Sequence, residues 1–66
     1  MTNNLKVLRA IKNISQEELS NKIEVSRQTI NAMEKGKYVP STVLALKLAR
    51  FFEISVEEIF TLETTD

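Results

Sequence analysis

Residues 15–36 have the sequence SQEELSNKIEVSRQTINAMEKG, and their spacing predicts two short helices joined by a tight turn. Apolar residues recur at three- and four-residue intervals on both sides of the turn, which is the period of an α-helix. A serine precedes each helix where its side chain can accept a backbone hydrogen bond, and Ser15 with Glu18 has the pattern of a capping box. The stretch therefore predicts helices over about 16–23 and 27–34.

The connection between these helices is only three residues long, which forces a steep crossing angle with Val25 in the corner. Ile30 and Met33 of the second helix are spaced to face Leu19 and Ile23 of the first. The outer face of the second helix is left with Arg27, Gln28, Asn31, Ala32 and Lys35. Side chains of these types are suited to base edges and phosphates. A helix whose inner face packs against its neighbour and whose N-terminus projects has the geometry needed to enter a DNA major groove.

The segment upstream of this stretch also has helical spacing. It predicts a first helix over about 4–12, closed by Asn13, with Ile14 as an inward anchor. The inward stripe expected for this helix is Leu5, Leu8 and Ile11.

Two further helices are predicted downstream, after a loop over 35–40 that Gly36 and Pro40 bracket. Ser41 caps a fourth helix over about 42–52, and Ser55 with Glu58 has a second capping-box pattern that opens a short fifth helix. The inward residues expected are Leu44, Ala45, Leu48, Ala49 and Phe52 in the fourth helix and Ile59 and Phe60 in the fifth. The alternating tail 61–65 permits a short strand paired with residues 1–3. The predicted fold class is all-α, with five helices and a small two-stranded hairpin from the termini.

Composition limits the classes of function. The 66 residues predict one domain over 1–66, and the chain has neither cysteine nor histidine. This removes thiolate ligands, the commonest metal ligand and the commonest general base, so we expect no catalytic site, no metal and no cofactor. No apolar run approaches the roughly 20 residues of a membrane span, and no signal-peptide pattern is present. We expect a cytoplasmic protein with no membrane partner and no evident small-molecule ligand.

The charge is strongly polarised along the chain although the net charge is zero. All nine Lys and Arg residues lie in 1–50 with four acids, a net +5, whereas 51–66 holds five acids and no base, a net −5. A polarised domain can present its positive side to DNA while its acidic end points away. This pattern predicts weak non-specific DNA binding.

Several linked motifs resemble those of the Cro/lambda-repressor (XRE) helix-turn-helix family. They are SQEEL at 15–19, VSRQTI at 25–30, MEKGK at 33–37, PS at 40–41 and LA at both 44–45 and 48–49. The resemblance covers about residues 4–60, and in its shortness and tail the chain is especially similar to minimal bacterial XRE regulators of the cytolysin-repressor type. It implies a five-helix lambda-repressor-like DNA-binding domain, with the helix-turn-helix at about 16–35, that regulates transcription.

The same resemblance implies roles for individual side chains. Base contacts fall to Arg27, suited to a guanine, to Gln28, suited to an adenine, and to Ala32, which can only touch a thymine methyl. Gln16 donates to a phosphate, helped by the positive end of its helix. The remaining phosphate contacts implied are Ser26, Asn31, Lys35, Lys37 and Tyr38. Arg9 and Glu34 match a family pair that ties the first helix to the end of the third.

The chain departs from the family pattern at two positions. Glu24 stands in the turn where many relatives have glycine, and at positive φ it costs on the order of 1 kcal/mol. Ser20 stands where a small alanine is usual.

A symmetric dimer is expected, because one recognition helix covers few base pairs and such domains generally bind paired half-sites. The interface is predicted within about 51–64, at Phe51, Val56, Ile59, Phe60 and Leu62. The alternative is that these residues only close the core of their own domain. The expected partners are double-stranded DNA and a second copy of the chain.

The sequence alone leaves open a purely structural role for some of these residues, and it leaves open a second function. Lys35 and Lys37 are also typical of a solvated loop, and Tyr38 either packs on the fourth helix or bonds a phosphate. The rival function is an antitoxin or adaptor that uses this fold to bind protein; an antitoxin usually needs a segment that folds on its toxin, and little tail is available here. The favoured function is therefore sequence-specific repression from an inverted-repeat operator.

Overall fold

The computed structural model describes residues 1–66, and five helices pack around one core beside a two-stranded antiparallel sheet. The elements are β1 Thr2–Asn3, α1 Leu5–Lys12, α2 Gln16–Ile23, α3 Arg27–Glu34, α4 Thr42–Phe52, α5 Val56–Ile59 and β2 Phe60–Thr61. The predicted helical fold with terminal strands is confirmed. None of the helices has the length and apolar character needed to cross a membrane.

Serine side chains define the starts of α2, α3 and α4, as the sequence predicts. The hydroxyl oxygens of Ser15, Ser26 and Ser41 each accept a hydrogen bond from the backbone N–H three residues on. At Ser15 the box is complete, since its own N–H donates to the Glu18 carboxylate at 3.0 Å. The Ser15 and Ser41 caps satisfy amides that would otherwise lack an acceptor, and a cap of this kind stabilises a helix by about 1 kcal/mol.

The predicted capping box at Ser55 is not formed. Its hydroxyl instead donates to the Glu58 carboxylate at 3.1 Å, and the Glu58 N–H donates to the Ser55 carbonyl at 3.1 Å. The serine hydroxyl is thus bonded to the Glu58 side chain, and the Glu58 amide bonds only the backbone carbonyl. With only the four residues Val56–Ile59, α5 is a single turn, and Phe60 belongs to β2.

The core is formed by ten apolar side chains drawn from every helix and from β2. They are Leu5, Leu19, Ile23, Ile30, Met33, Leu44, Leu48, Phe52, Ile59 and Phe60. Most of the predicted inward residues lie in or against this core, but Ile11 does not: its side chain is 76% exposed. At about 100° per residue, Ile11 lies about 120° around the helix from the buried Leu5, so the expected stripe turns away from the core.

Both chain ends are tied to the helices. In the sheet, Thr2 pairs with Thr61 and Asn3 with Phe60, so the predicted strand after α5 begins one residue early. The Asn3 side-chain amide donates to the Met33 carbonyl at the end of α3, at 2.7 Å. The Met1 ammonium lies 2.8 Å from carboxylates of both Glu63 and Asp66, and these two acids raise its pKa. The sheet therefore supports the C-terminal end of α3.

Candidate nucleic-acid interface

The turn between α2 and α3 fixes how α3 projects. Glu24 ends α2 in the left-handed region, with φ 61°, and Val25 packs against the core in the corner. Ile30 and Met33 are fully buried, which fixes the inner side of α3 as predicted. The departure at Ser20 is accommodated, because this buried hydroxyl donates to the Glu17 carbonyl at 2.7 Å. The remaining side of α3 faces away from the core.

Four polar side chains from α2 and α3 meet at an open cleft of about 190 Å³. Its lining is Gln16, Arg27, Gln28 and Asn31. Arg27 and Gln28 are exposed, whereas Asn31 and Gln16 are partly buried. The structure thus brings together four side chains that the sequence assigns to DNA contacts. Ala32, the third predicted base contact, is half-buried on the same helix.

The N-terminal ends of α2 and α3 both lie at this cleft. Neither the Gln16 and Glu17 N–H groups nor those of Arg27 and Gln28 have an acceptor within the chain. Free amides at a helix N-terminus, with the positive end of the helix dipole, attract phosphate oxygens. The first turn of α3 carries no acid, whereas that of α2 carries Glu17 and Glu18, so α3 has the more favourable field for an anion.

A hydrogen-bonded chain of four side chains lies behind the cleft. The Arg9 guanidinium donates through Nε to Glu34 Oε2 at 2.5 Å and through Nη2 to Oε1 at 3.0 Å, so the predicted pair is present in bidentate form. Arg9 also donates to the Ile14 carbonyl at 3.0 Å. Gln16 Nε2 donates to both Glu34 Oε1, at 3.1 Å, and Asn31 Oδ1, at 3.2 Å. We call Arg9, Glu34, Gln16 and Asn31 the Glu34 chain.

Glu34 is charged despite its surroundings. Only 6% of its side chain is exposed, and this burial opposes ionisation. The hydrogen bonds from Arg9 and Gln16 outweigh burial and hold the pKa of Glu34 below its ordinary value, while Glu34 raises the pKa of Arg9. The pair links α1 to the end of α3. Sequence reasoning found this pair but missed its link to Gln16, which lies 18 residues from Glu34.

The loop after α3 carries the remaining predicted phosphate contacts. Gly36, at φ 72°, and Lys37 donate backbone hydrogen bonds to the Met33 and Ala32 carbonyls, so the chain turns sharply at the end of α3. Lys35, Lys37 and Tyr38 are all exposed there, and neither lysine pairs with an acid of the chain. Two free cations therefore stand directly after the helix whose other end borders the cleft.

The residues predicted for a dimer interface divide into two groups. Ile59 and Phe60 are only 1% and 7% exposed within their own chain, so they have almost no surface to offer a second one. Both side chains belong to the hydrophobic core, where α5 packs against α4. Phe51 and Val56 are half-buried, and Leu62 is exposed.

An apolar surface that the sequence reasoning missed lies on α4 and the loop before it. Val39, Val43 and Leu46 are 65%, 64% and 58% exposed, with Val56 beside Leu46. We call these four residues the α4 surface. The signal was available, because Val43 and Leu46 fall on the helix face that also carries Lys47 and Arg50, where a solvated helix is polar.

This arrangement defines a helix-turn-helix DNA-binding domain: two short crossed helices, the second with a buried back and an exposed polar face. Residues 5–59 match the helix-turn-helix family model, and the chain belongs to this XRE-type family. It is similar to an uncharacterized HTH-type transcriptional regulator of Methanocaldococcus jannaschii, 56% identical over 63 residues, and to another of Bacillus subtilis, 49% identical over 63; each match covers 96% of both chains. The HTH-type transcriptional activator BcrR of Enterococcus faecalis is 34% identical over 55 residues, which are 83% of this chain and 27% of that protein.

These relatives are transcriptional regulators in name, not enzymes, and they come from archaea as well as bacteria. The family, the fold and the cleft agree with one another. The chain is a DNA-binding transcriptional regulator.

Proposed function

We propose that this protein is a sequence-specific repressor that binds an inverted-repeat operator as a homodimer. The observation that carries the proposal is the exposed pair Arg27 and Gln28 at the N-terminal end of α3, beside free backbone amides and a cleft. Both side chains form bidentate pairs with base edges in the major groove, arginine with guanine and glutamine with adenine. In this proposal Arg27 and Gln28 discriminate bases, and Ala32 contacts a thymine methyl.

Phosphate contacts position α3 in the groove. We assign them to the amides and side chains at the start of α2 and α3, to Asn31, and to the loop after α3. The residues are Gln16, Ser26, Asn31, Lys35, Lys37 and Tyr38. Two free lysines and two helix ends supply fewer charges than a basic domain does, and 51–66 adds a net −5 on the same small chain. Non-specific affinity is therefore weak, and specificity depends on the base contacts.

The second copy docks on the α4 surface. Its three most exposed residues form an apolar patch whose exposure to water is unfavourable, and such patches commonly mark interaction sites. Lys47 and Arg50 border it on α4, while α5 exposes Glu57 and Glu58 next to Val56. In a two-fold contact each chain supplies both sides, so laying α4 of one copy against α5 of the other pairs these charges twice. Phe51 and Leu62, which the sequence also assigns to the interface, are half-buried and exposed, respectively, and stay available to the second copy.

Occupancy of a promoter is the simplest route to repression for a domain of this size. BcrR is an activator in name, so the sign of regulation is a separate test: a reporter gene behind the recovered operator should be silenced by the protein and not induced. We place the protein in the cytoplasm, where it reaches DNA.

Selection of bound duplexes from a random DNA library tests the base-reading claim. The wild type should recover an inverted repeat with half-sites about 34 Å apart, one helical turn. Arg27→Ala and Gln28→Ala should each relax the preference at one position per half-site. Lys22→Ala and Asn21→Ala, at exposed positions of α2, are the matched controls and should recover the wild-type motif. If no motif emerges at low salt, the specific-regulator proposal fails and the protein-binding alternative takes its place.

Leu46→Glu tests the dimer. A carboxylate buried at the dimer interface should abolish association and lower operator affinity. The monomer should stay folded, because Leu46 is 58% exposed in the single chain. Ile11→Glu is the control, at a more exposed apolar position of α1. Sedimentation equilibrium should find dimers for the wild type and the control and monomers for Leu46→Glu; a dimeric Leu46→Glu protein contradicts this interface.

A further inference from the structure

The Glu34 chain does more than join two helices. Its four side chains run from α1 to the cleft, and each link has a donor and an acceptor. Building on the proposed function, we propose that this chain sets the direction of the Asn31 side-chain amide, so that Asn31 presents hydrogen-bond donors to DNA. Glu34 and Gln16 are then positioning residues that act on DNA binding through Asn31.

The first step is that the Glu34 carboxylate can accept hydrogen bonds but cannot donate them. An ionised carboxylate carries no hydrogen, and Oε1 of Glu34 receives bonds from Arg9 Nη2 at 3.0 Å and Gln16 Nε2 at 3.1 Å. The bidentate contact with Arg9 keeps the carboxylate ionised in a site that is almost closed to water. Gln16 therefore has to point its NH₂ group, and not its carbonyl oxygen, at Glu34.

The second step passes this direction to Asn31. The Gln16 amide nitrogen has two hydrogens, and the one that Glu34 leaves is directed at Asn31 Oδ1, 3.2 Å away. Reversing the Asn31 amide would set NH₂ against NH₂ and break this bond. Asn31 therefore turns its oxygen towards Gln16. Its own NH₂ group has no acceptor anywhere in the protein and is free for a partner in the cleft.

The third step is the match to DNA. Phosphate oxygens and the purine N7 atoms of the major groove are acceptors, so a fixed donor suits them and a fixed oxygen repels them. The same hydrogen bonds decide which group of Gln16 can contact DNA. Both hydrogens of its side-chain amide are already donated to Glu34 and Asn31. The phosphate contact predicted for Gln16 therefore falls to its free backbone N–H at the start of α2. Without its hydrogen bond to Gln16, the Asn31 side chain would present either its oxygen or its NH₂ group to DNA, and binding would be weaker.

The direction of both amides can be read in the free protein, before any DNA is added. In NMR spectra of the side-chain amides, the Gln16 Nε2 hydrogens should exchange slowly with water. Those of Asn31 should exchange as fast as those of Asn21, an exposed reference on α2. Glu34→Gln should remove the protection of Gln16, because a neutral amide no longer demands a donor. Protection of the Asn31 hydrogens in the free wild type overturns the proposal, whether or not the protein binds an operator.

A mutant cycle on the operator tests the coupling. Asn31→Ala should weaken binding about two- to tenfold, the loss of a hydrogen bond. Gln16→Ala leaves the Arg9–Glu34 pair intact and should cost a similar factor in the wild type but little in the Asn31→Ala background. The slope of log affinity against log salt should not change, since the contact is uncharged, whereas Lys37→Ala should lower that slope by about one unit. Additive losses for Gln16→Ala and Asn31→Ala contradict positioning.

Asn31→Asp separates donor from acceptor. The carboxylate still accepts from Gln16 but cannot donate, so binding should be weaker than for Asn31→Ala. Asn21→Asp makes the same change of charge on the exposed face of α2 and should cost much less. An Asn31→Asp protein that binds as well as the wild type shows that no donor is used there. If the wild type binds no operator at all, the proposed function fails, while the exchange measurement still decides the direction of the amides.

Discussion

Replacing Glu53 by glycine should stabilise the fold, because this residue ends α4 in the left-handed region at φ 58°. A residue with a Cβ atom there costs roughly 1–2 kcal/mol, and glycine adopts the conformation freely. Glycine also has more freedom in the unfolded chain, which offsets about 0.5–1 kcal/mol of that gain. The net change for Glu53→Gly therefore lies between about 0 and 1.5 kcal/mol, a stabilisation centred near 0.5–1 kcal/mol.

Glu24→Gly relieves the same strain at the end of α2, where φ is 61°, but removes an ion pair. The Glu24 carboxylate lies 3.8 Å from Lys47 Nζ, and the two side chains are 81% and 46% exposed. Water screens such a pair, which is worth about 0–0.5 kcal/mol, so strain relief wins by a smaller margin than at Glu53. Asn13→Gly, at φ 56°, should gain least, since asparagine tolerates this region better than glutamate.

Urea and thermal unfolding measure the series. In a domain of this size a gain of about 0.5–1 kcal/mol raises Tm by roughly 2–8 °C. Glu24→Ala and Glu53→Ala remove the side chain beyond Cβ, including its charge, but keep the Cβ atom, so they should not stabilise. The reasoning is refuted if both glycine variants are less stable than the wild type, or if the alanine variants gain as much.

Three further predictions follow from burial and charge. Leu48→Ala should cost about 2–5 kcal/mol in urea unfolding, since the side chain is fully buried; a loss below about 1 kcal/mol contradicts its place in the core. Ile11→Gln should change stability by less than about 0.5 kcal/mol, because Ile11 projects into water; a larger loss would restore the stripe that the sequence predicts. The folded pKa of Glu34 lies below its ordinary value of 4.5, so its contribution is full above that pH and is lost as the pH falls through the folded pKa. Stability measured from about pH 6 to about pH 3 should therefore fall further for the wild type than for Glu34→Gln, and parallel curves would show that Glu34 is not the group responsible.

Local chemistry explains which parts of the fold the sequence predicts well. Ser15, Ser26 and Ser41 cap their helices through bonds that span three residues, and Asn13 closes α1 in the left-handed region. Such bonds depend on neighbouring residues alone, so their pattern is visible in the sequence. Ser55 has the same pattern, but its hydroxyl donates to the Glu58 carboxylate and does not cap the single turn of α5.

The sequence-based predictions fail where contacts between residues distant in sequence decide which side chain is buried or bonded. Ile11 is apolar and near the expected spacing, yet Arg9, which lies closer to the direction of Leu5, occupies the inward position through its pair with Glu34. The bond between Gln16 and Glu34 joins residues 18 positions apart, and no local pattern encodes it. The exposure of Arg27 and Gln28 was predictable, since helix spacing alone sets them on the outer side of α3.

The most direct test of base reading by α3 uses the operator recovered by selection and every single-base-pair variant of it. Affinities of the wild type and Arg27→Ala for this set should agree in rank except at one base pair in each half-site, where the variant has lost a discrimination of about 1–3 kcal/mol. A uniform loss of affinity across all duplexes, with every preference retained, would mean that Arg27 contacts only phosphate and that α3 does not read the sequence through it.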